Sequence, residues 1–434
     1  FTAGTSSSTL AMTIYGMTKK RVSPEINAIS TLLFATVLVL LALINVRESR
    51  ADKHVQAAQA AHAPHTHHHN NKNSKLLRRI AAGAVACVLL VTLIVTGHSV
   101  KSDRVVNVCS WGEYIDESVL TDFEEATGIK VNYQTAESNE ALYSLLKTGA
   151  GDYDVIVPSD YMIARLIDEG MLAELNYDNI PNYKKIGEQY KSLSFDPENK
   201  YTVPYTWGTL GIIYNSTMVD GDIDSWDAMF DEKYAGNVLM IRNSRDALAA
   251  ALLDLGHDIN TTDESQIREA YELLADAKSK GVYQSFVMDE VFGKMEGSNA
   301  AIAMYYAGDY LTMLDNNPDL KFVVPKEGSN WFVDAMCVLK TAQHKEEAEA
   351  WINFIASTES NLANMDYIGY ASPNLEALEG YPAYYEETYG EPLDEERYEI
   401  MAAPDDVLAR CELYTNLPAD TLTLYNDLWT ELGI

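Results

Sequence analysis

Trp331, Phe332 and Asp334 fall together in the run Glu327-Gly328-Ser329-Asn330-Trp331-Phe332-Val333-Asp334, which sets flat aromatic faces beside one carboxylate. Side chains alternate along an extended segment, so Phe332 and Asp334 share one face and Trp331 and Val333 take the other. Such a face can hold an alkyl cation. A cation over a ring contributes roughly 0.5 to 2 kcal/mol, and a desolvated carboxylate adds a charge-assisted hydrogen bond. An aromatic core strand with a solvated acid would show the same pattern, so the rest of the chain has to discriminate.

The charge distribution favours a cationic ligand. The chain of 434 residues has a net charge of -32, unevenly spread: residues 1–100 hold ten Lys/Arg against three acids, and the remainder holds 22 against 61. A surface that acidic repels nucleic acid and anionic headgroups and draws in small cations, although solubility alone would account for many of the acids. An acid-rich cleft also invites comparison with glycosidases. Against an enzyme, the chain has no H-E-x-x-H, no G-x-S-x-G, no phosphate loop and no nucleophile–base constellation. Cys87, Cys109, Cys337 and Cys411 lack C-x-x-C or zinc spacing and read as buried thiols, with a Cys109–Cys337 disulfide left to geometry.

The length allows two or three domains. Ile26–Val46 is a 21-residue run without charge and Ile80–Gly97 one of 18, each long enough for a transmembrane helix. The polar stretch 47–79 between them has seven Lys/Arg near its two ends, which makes it a cytoplasmic linker and leaves everything after Gly97 outside. Its histidines (His62, His65, His67–His69) read as incidental to a flexible linker. The second span lacks a cleavage site before Ser99 and is taken as an uncleaved anchor.

From Val105 strand and helix signals alternate: Val105–Cys109, a helix over 117–126 stopped by Gly128, Ile129–Tyr133, a helix capped by Ser138 and ended by Gly149, Asp154–Pro158, and a helix over 161–169. This β-α-β-α-β-α order predicts a parallel sheet with helices on both faces and a ligand outside the carboxyl ends of its strands. Those ends are Ser110-Trp111-Gly112-Glu113-Tyr114 and Pro158-Ser159-Asp160-Tyr161. The glycines of Trp207-Gly208-Thr209-Leu210-Gly211 suit a chain leaving one domain for another. A second α/β region follows, with strands at 238–241, 300–305 and 323–325 and helices from Ser244, over 263–280 and over 345–356.

Two regions resemble parts of one transport system. Thr9-Leu10-Ala11-Met12-Thr13-Ile14-Tyr15 and Val22-Ser23-Pro24-Glu25-Ile26-Asn27-Ala28 resemble the last outer loop and last helix of a PotC-type spermidine/putrescine ABC transporter permease. Residues 104–434 resemble the PotD-type polyamine-binding proteins, through Ser110–Tyr114, Glu137-Ser138-Asn139-Glu140, Val157–Tyr161, Pro204–Gly208, Glu327–Asp334 and Ile368-Gly369-Tyr370-Ala371-Ser372-Pro373-Asn374.

The resemblance implies a bilobal periplasmic-binding-protein-like α/β fold (type II) behind two transmembrane helices, with the lobes formed by 104–208 with 332–378 and by 211–330 with 382–434. Its crossings would lie near Gly208–Gly211, Asn330–Phe332 and Glu379–Pro382. It further implies a non-enzymatic receptor without cofactor or metal, its binding domain (98–434) on the extracellular or periplasmic side of the cell membrane. The partners would be a polyamine, permease and ATPase subunits and the membrane, with no nucleic acid. The implied ligand contacts are Trp111, Glu113, Tyr114, Ser159, Tyr161, Asp246, Tyr305, Phe332, Asp334 and Tyr370, with Trp331 supplying the ring that Phe332 replaces. Tyr305 and Phe332 stand where the better-known relatives have Trp, and Asn243 where they have an acid, so one end of the cleft is expected to lack a negative charge. The same fold binding another organic cation or ferric ion, or serving a sensor, is the alternative.

Overall fold

The computed structural model describes residues 104–149 and 151–434. The expected spans 26–46 and 80–97, the 47–79 linker and Cys87 lie outside those residues; among the described residues no helix is long and apolar enough to cross a membrane.

The chain begins with β1 (Val105–Trp111), α1 (Glu117–Thr127), β2 (Lys130–Ala136), α2 (Asn139–Thr148), β3 (Val155–Ile156) and α3 (Asp160–Asp168). Caps set the helix limits as the sequence suggests. Asp116 accepts from Ser118 N, Ser138 accepts from Ala141 N, and Gly128 and Gly149 close α1 and α2 with φ of 69° and 64°. The strand β1 pairs in parallel with β2 and β3. The sheet is nevertheless not all parallel: β3 is only two residues long, and its far edge takes an antiparallel strand from much later in the chain. Local periodicity carries no information on which distant segment fills that edge.

Next come β4 (Thr202–Asn215), β5 (Val238–Ile241), α4 (Ser244–Asp254), α5 (Glu264–Ser279), β6 (Tyr283–Val287), α6 (Glu290–Glu296), β7 (Ile302–Tyr306), α7 (Ala307–Leu314), β8 (Leu320–Val323) and β9 (Ser329–Val338). They are followed by α8 (Lys345–Ile355), α9 (Thr358–Ile368), α10 (Leu375–Tyr389), α11 (Glu395–Met401), α12 (Asp405–Leu408), β10 (Cys411–Glu412) and α13 (Ala419–Leu432). Strand order is β2-β1-β3-β9-β4-β7-β5-β6, with β8 on β4 and β10 on β9.

The middle of this order is built on β4, whose fourteen residues are all buried. Its first half, Thr202–Thr209, pairs with β9; from Leu210 it pairs with β7, and from Ile212 with β8 on the edge that β9 has left. Gly211 sits where β8 closes in: a Cβ there would lie 2.5 Å from the Phe322 ring and from the Val323 carbonyl. Residues 379–382 lie inside the continuous helix α10, which contains Pro382. The chain makes its ion pair with the α7 end only at α11, where Arg397 Nη1 donates to Asp315 Oδ1 at 2.8 Å.

Helices seal the faces. Phe123 of α1 and Trp351 of α8 meet edge to face at 5.1 Å, both buried. Cys109 pairs with Ile156 and Ile156 with Cys337, so the two thiols are two strand spacings apart, about 9 to 10 Å, too far for a disulfide. Cys109, Cys337 and Cys411 are free and buried.

Candidate functional site

A cavity of about 490 Å³ opens where the carboxyl ends of the parallel strands converge. From β1 come Trp111 and Gly112, from β2 Ala136 and Glu137, and Ser159 and Asp160 follow β3; from the other side β5 leads into Arg242 and Asn243, β6 into Met288 and Asp289, and β7 ends in Tyr305 and Tyr306. In an α/β sheet this is where loops diverge and leave room for a ligand.

Strand β9 crosses the floor, and its alternation works as expected. Asn330, Phe332 and Asp334 line the cavity, whereas Val333 is wholly buried in the core and Trp331 turns to the opposite face, across from Thr209. Phe332 belongs to a chain of edge-to-face rings: Tyr114 to Tyr370 at 5.5 Å, Tyr370 to Phe332 at 5.9 Å, Phe332 to Tyr306 at 5.4 Å. The Tyr370 ring lies between two glycines. A Cβ on Gly208 would lie 2.9 Å from it, and one on Gly308 would overlap it outright. These rings offer apolar faces with few side-chain freedoms left to lose.

Seven carboxyl groups line the cavity (Glu137, Asp160, Asp246, Asp289, Glu290, Asp309 and Asp334) against one arginine, Arg242. Asp334 Oδ2 accepts from Trp111 Nε1 at 2.9 Å, but its Oδ1 is buried with no partner among the described residues. Asp160 Oδ1 accepts from the Tyr161 amide at 2.6 Å, and its Oδ2 is likewise buried and unmatched. A buried carboxylate oxygen without a donor costs several times what a typical hydrogen bond returns, and native interiors rarely leave one. Burial therefore pushes the Asp334 carboxyl up to about 6 and that of Asp160 well above the usual range. Asp246 is also raised to about 6 by burial, although Tyr306 and Tyr414 donate to its oxygens at 2.7 and 3.0 Å. Burial raises Asp309, which accepts from Tyr370 at 2.6 Å, to about 7. The surrounding phenols Tyr114, Tyr161, Tyr305, Tyr306, Tyr370 and Tyr414 are pushed well above their ordinary range, first by burial.

Of the residues singled out from sequence, Trp111, Tyr114, Ser159, Tyr161, Asp246, Tyr305, Phe332, Asp334 and Tyr370 meet in this cavity. Trp331 does not, for the reason of alternation, and so does not stand in for the ring that Phe332 replaces. Glu113 does not line it either: it takes a left-handed φ of 49° in the turn after β1, and its exposed carboxylate accepts from Tyr367 at 3.0 Å. Asp160, Asp289, Asp309, Tyr306 and Tyr414 were missed as individual site residues. Asp160 and Tyr306 adjoin Tyr161 and Tyr305 in sequence and are legible as such; Asp289 follows β6, a strand whose weak alternation gives it no signal in the sequence. Asn243 is present as expected, but Asp289 and Glu290 add charge from another loop, so the cavity as a whole is not short of acids.

The family model of the bacterial extracellular solute-binding proteins matches residues 118–389. The chain is 33% identical over 270 residues to the spermidine/putrescine-binding periplasmic protein of Salmonella typhimurium, covering 62% of this chain and 77% of that protein. It is 29% identical over 359 residues to the putrescine-binding periplasmic protein SpuD of Pseudomonas aeruginosa, covering 78% and 94%. Among solved structures, the spermidine/putrescine ABC transporter substrate-binding protein PotD of Streptococcus pneumoniae matches with a TM-score of 0.63 and 35% identity, over 76% of this chain and 98% of that one.

Proposed function

The chain belongs to the bacterial extracellular solute-binding proteins, in the branch of the PotD-type spermidine/putrescine-binding periplasmic proteins, and from that premise we propose that it captures a polyamine for an ABC importer. Proteins of this class bind their solute without transforming it. One observation carries the choice of ligand: two buried carboxylate oxygens, Asp334 Oδ1 and Asp160 Oδ2, lack donors in a cavity with seven acids and a chain of aromatic rings. An ammonium group brings three donors and a charge. The rings then cover the methylene chain, each buried CH₂ contributing about 0.8 kcal/mol.

In this reading Trp111, Tyr114, Ser159, Tyr161, Asp246, Tyr305, Phe332, Asp334 and Tyr370 contact the ligand, and Asp334 holds an ammonium. Trp111 orients Asp334 and keeps one of its oxygens occupied. The lobes are taken as 104–208 with 332–378 and 211–330 with 382–434, with the last crossing moved past the continuous helix α10, whose Tyr389 still donates to Asp366. A cation entering between them is contacted by both, and closure is stabilised by contacts that exist only in the closed state. The permease-like residues 1–46 and the apolar run 80–97 support a receptor anchored in the membrane beside its permease and ATPase partners, with the binding domain outside. Such a tether replaces free diffusion by a high local concentration. The alternative of a ferric ligand would need phenolate and carboxylate oxygens converging on one point.

The test is calorimetric titration of the chain with putrescine, spermidine, a monoamine and ferric citrate, alongside Asp334→Asn. Micromolar or tighter binding of a diamine or triamine that collapses in the variant is expected. Silence of a folded protein toward every polyamine would overturn the reading.

A further inference from the structure

Residues 413–418 join β10 to α13 and run past the cavity, which Tyr414 lines. This strap is fastened on one side to the connection between α4 and α5. There Asn260 donates to the Leu413 carbonyl at 2.9 Å, and its Oδ1 accepts from the Thr415 amide at 2.9 Å and the Thr415 hydroxyl at 3.2 Å. Tyr414 donates to Asp246 Oδ1 of α4 at 3.0 Å, and beyond the strap α13 sets Trp429 edge to face with Phe286 of β6 at 5.9 Å. The strap thus moves with the second lobe.

It also reaches across to the first lobe. Helix α3 carries Tyr161 in its first turn and Asp168 at its end, seven residues later, which on a helix is the same face two turns on. The Tyr161 ring meets Tyr414 edge to face at 5.9 Å, and Asn416 Nδ2 donates to Asp168 Oδ2 at 2.8 Å. The ring contact belongs to the cavity wall. The hydrogen bond does not, because neither Asn416 nor Asp168 lines the cavity; Asp168 is exposed and Asn416 half-buried, so the bond sits on the rim of the contact between strap and α3. A bond between two bodies lasts only while they are together, so it favours the closed cleft over the open one.

We infer that Asn416 and Asp168 are positioning residues for capture: their hydrogen bond latches the strap across the cleft and slows the escape of bound ligand without touching it. The inference rests on the two-lobed, polyamine-binding reading above. Lying outside the cavity, the pair holds putrescine and spermidine alike. An incoming ligand meets the open cleft, where the bond is absent, so the latch acts on departure and leaves arrival unchanged.

The full chain, purified in detergent, is compared as wild type, Asn416→Ala, Asp168→Ala, Asp168→Asn and the double alanine variant. In stopped-flow measurements either alanine should speed the dissociation of both ligands by about five- to tenfold and leave association within about twofold. The double variant should be no faster than the singles, because all three lose the same bond. Asp168→Asn keeps an acceptor oxygen and should stay within about threefold of wild type. Separately, spin labels on the exposed positions Glu125→Cys of α1 and Glu272→Cys of α5, in a Cys87→Ser background whose other thiols are buried, report the distance between the lobes without ligand. The closed fraction should fall by about fivefold in either alanine variant. Unchanged dissociation, an effect on one ligand only, or single effects that multiply in the double variant would overturn the inference. A wild type that binds no polyamine would instead remove the underlying reading, and the label distances would then decide the latch alone: it stands if the alanine variants open the ligand-free lobes and falls if they do not.

Discussion

Trp111 Nε1 donates to Asp334 Oδ2 at 2.9 Å and leaves Asp334 Oδ1 buried without a partner, so a strand-end indole occupies half of a carboxylate and holds the other half ready. The indole fixes the orientation of the group, and the vacant oxygen identifies the side from which a donor must come.

Asp334→Asn should weaken diamine binding by about a hundredfold, since an amide offers no charge and can turn its own donors toward the ligand. The unliganded protein should be no less stable, and should gain stability above pH 6, because an uncompensated buried charge has been removed. Titration calorimetry and thermal unfolding of the same sample check both halves. A variant that binds normally would show that the ammonium sits elsewhere.

Acidity should act in opposite directions on binding and on unliganded stability. The Asp334 and Asp246 carboxyls, at about 6, and Asp309, at about 7, lie above their unfolded value of 3.8. The folded state therefore binds more protons than the unfolded chain between about pH 4 and 7, and these groups make the unliganded protein more stable as pH falls through that window. A cation needs them ionised, so affinity should drop by about tenfold per contacting carboxylate one unit below its pKa. Thermal shifts with and without putrescine at pH 8, 6.5 and 5 should show a rising baseline and a shrinking increment. A ligand increment that grows toward pH 5 would contradict this.

Gly308→Ala should displace the Tyr370 ring, because the added methyl overlaps it, and break its 2.6 Å hydrogen bond to Asp309. Overpacking of this kind costs about 1 to 3 kcal/mol. The melting temperature should fall by several degrees, and diamine affinity by about tenfold, since Tyr370 and Asp309 both line the cavity. Unchanged affinity with lowered stability would restrict Tyr370 to a structural role.

Phe332→Ala and Trp331→Ala make a paired test of strand facing. The first removes a ring from the cavity and should cost about tenfold or more in affinity; the second removes one from the opposite face and should change affinity by less than about threefold. Equal losses in the two variants would mean that the register of β9 in solution differs from the one described.

Much of this site was legible because its signals are local. The facing of Phe332 and Asp334 follows from period-two alternation, and the positions of Trp111 and Ser159 follow from their place after short apolar strands. Ser138, Gly128 and Gly149 mark helix ends through their own side-chain and backbone chemistry. The unread parts depend on tertiary neighbours. The edge of β3 is filled by a strand some 180 residues later, Glu113 is turned away by a left-handed turn no pattern announces, and Asp289 follows a strand, Tyr283–Val287, that alternates only weakly in burial. Buried Arg245, on α4, is ringed by Tyr161, Tyr414 and Tyr425, which come from three separate segments.

The shared strand β4 also constrains how the protein comes into being. Its first half has no partner until β9 is made, so a nascent chain that has emerged through Asn215 still lacks the strand that pairs with Thr202–Thr209, and gains it only when residues up to Val338 are available. The first sheet must therefore wait, with an apolar edge open, for more than a hundred further residues to arrive. The interval before Val338 becomes available is therefore the one in which β4 is least covered and the folding chain most open to misassociation.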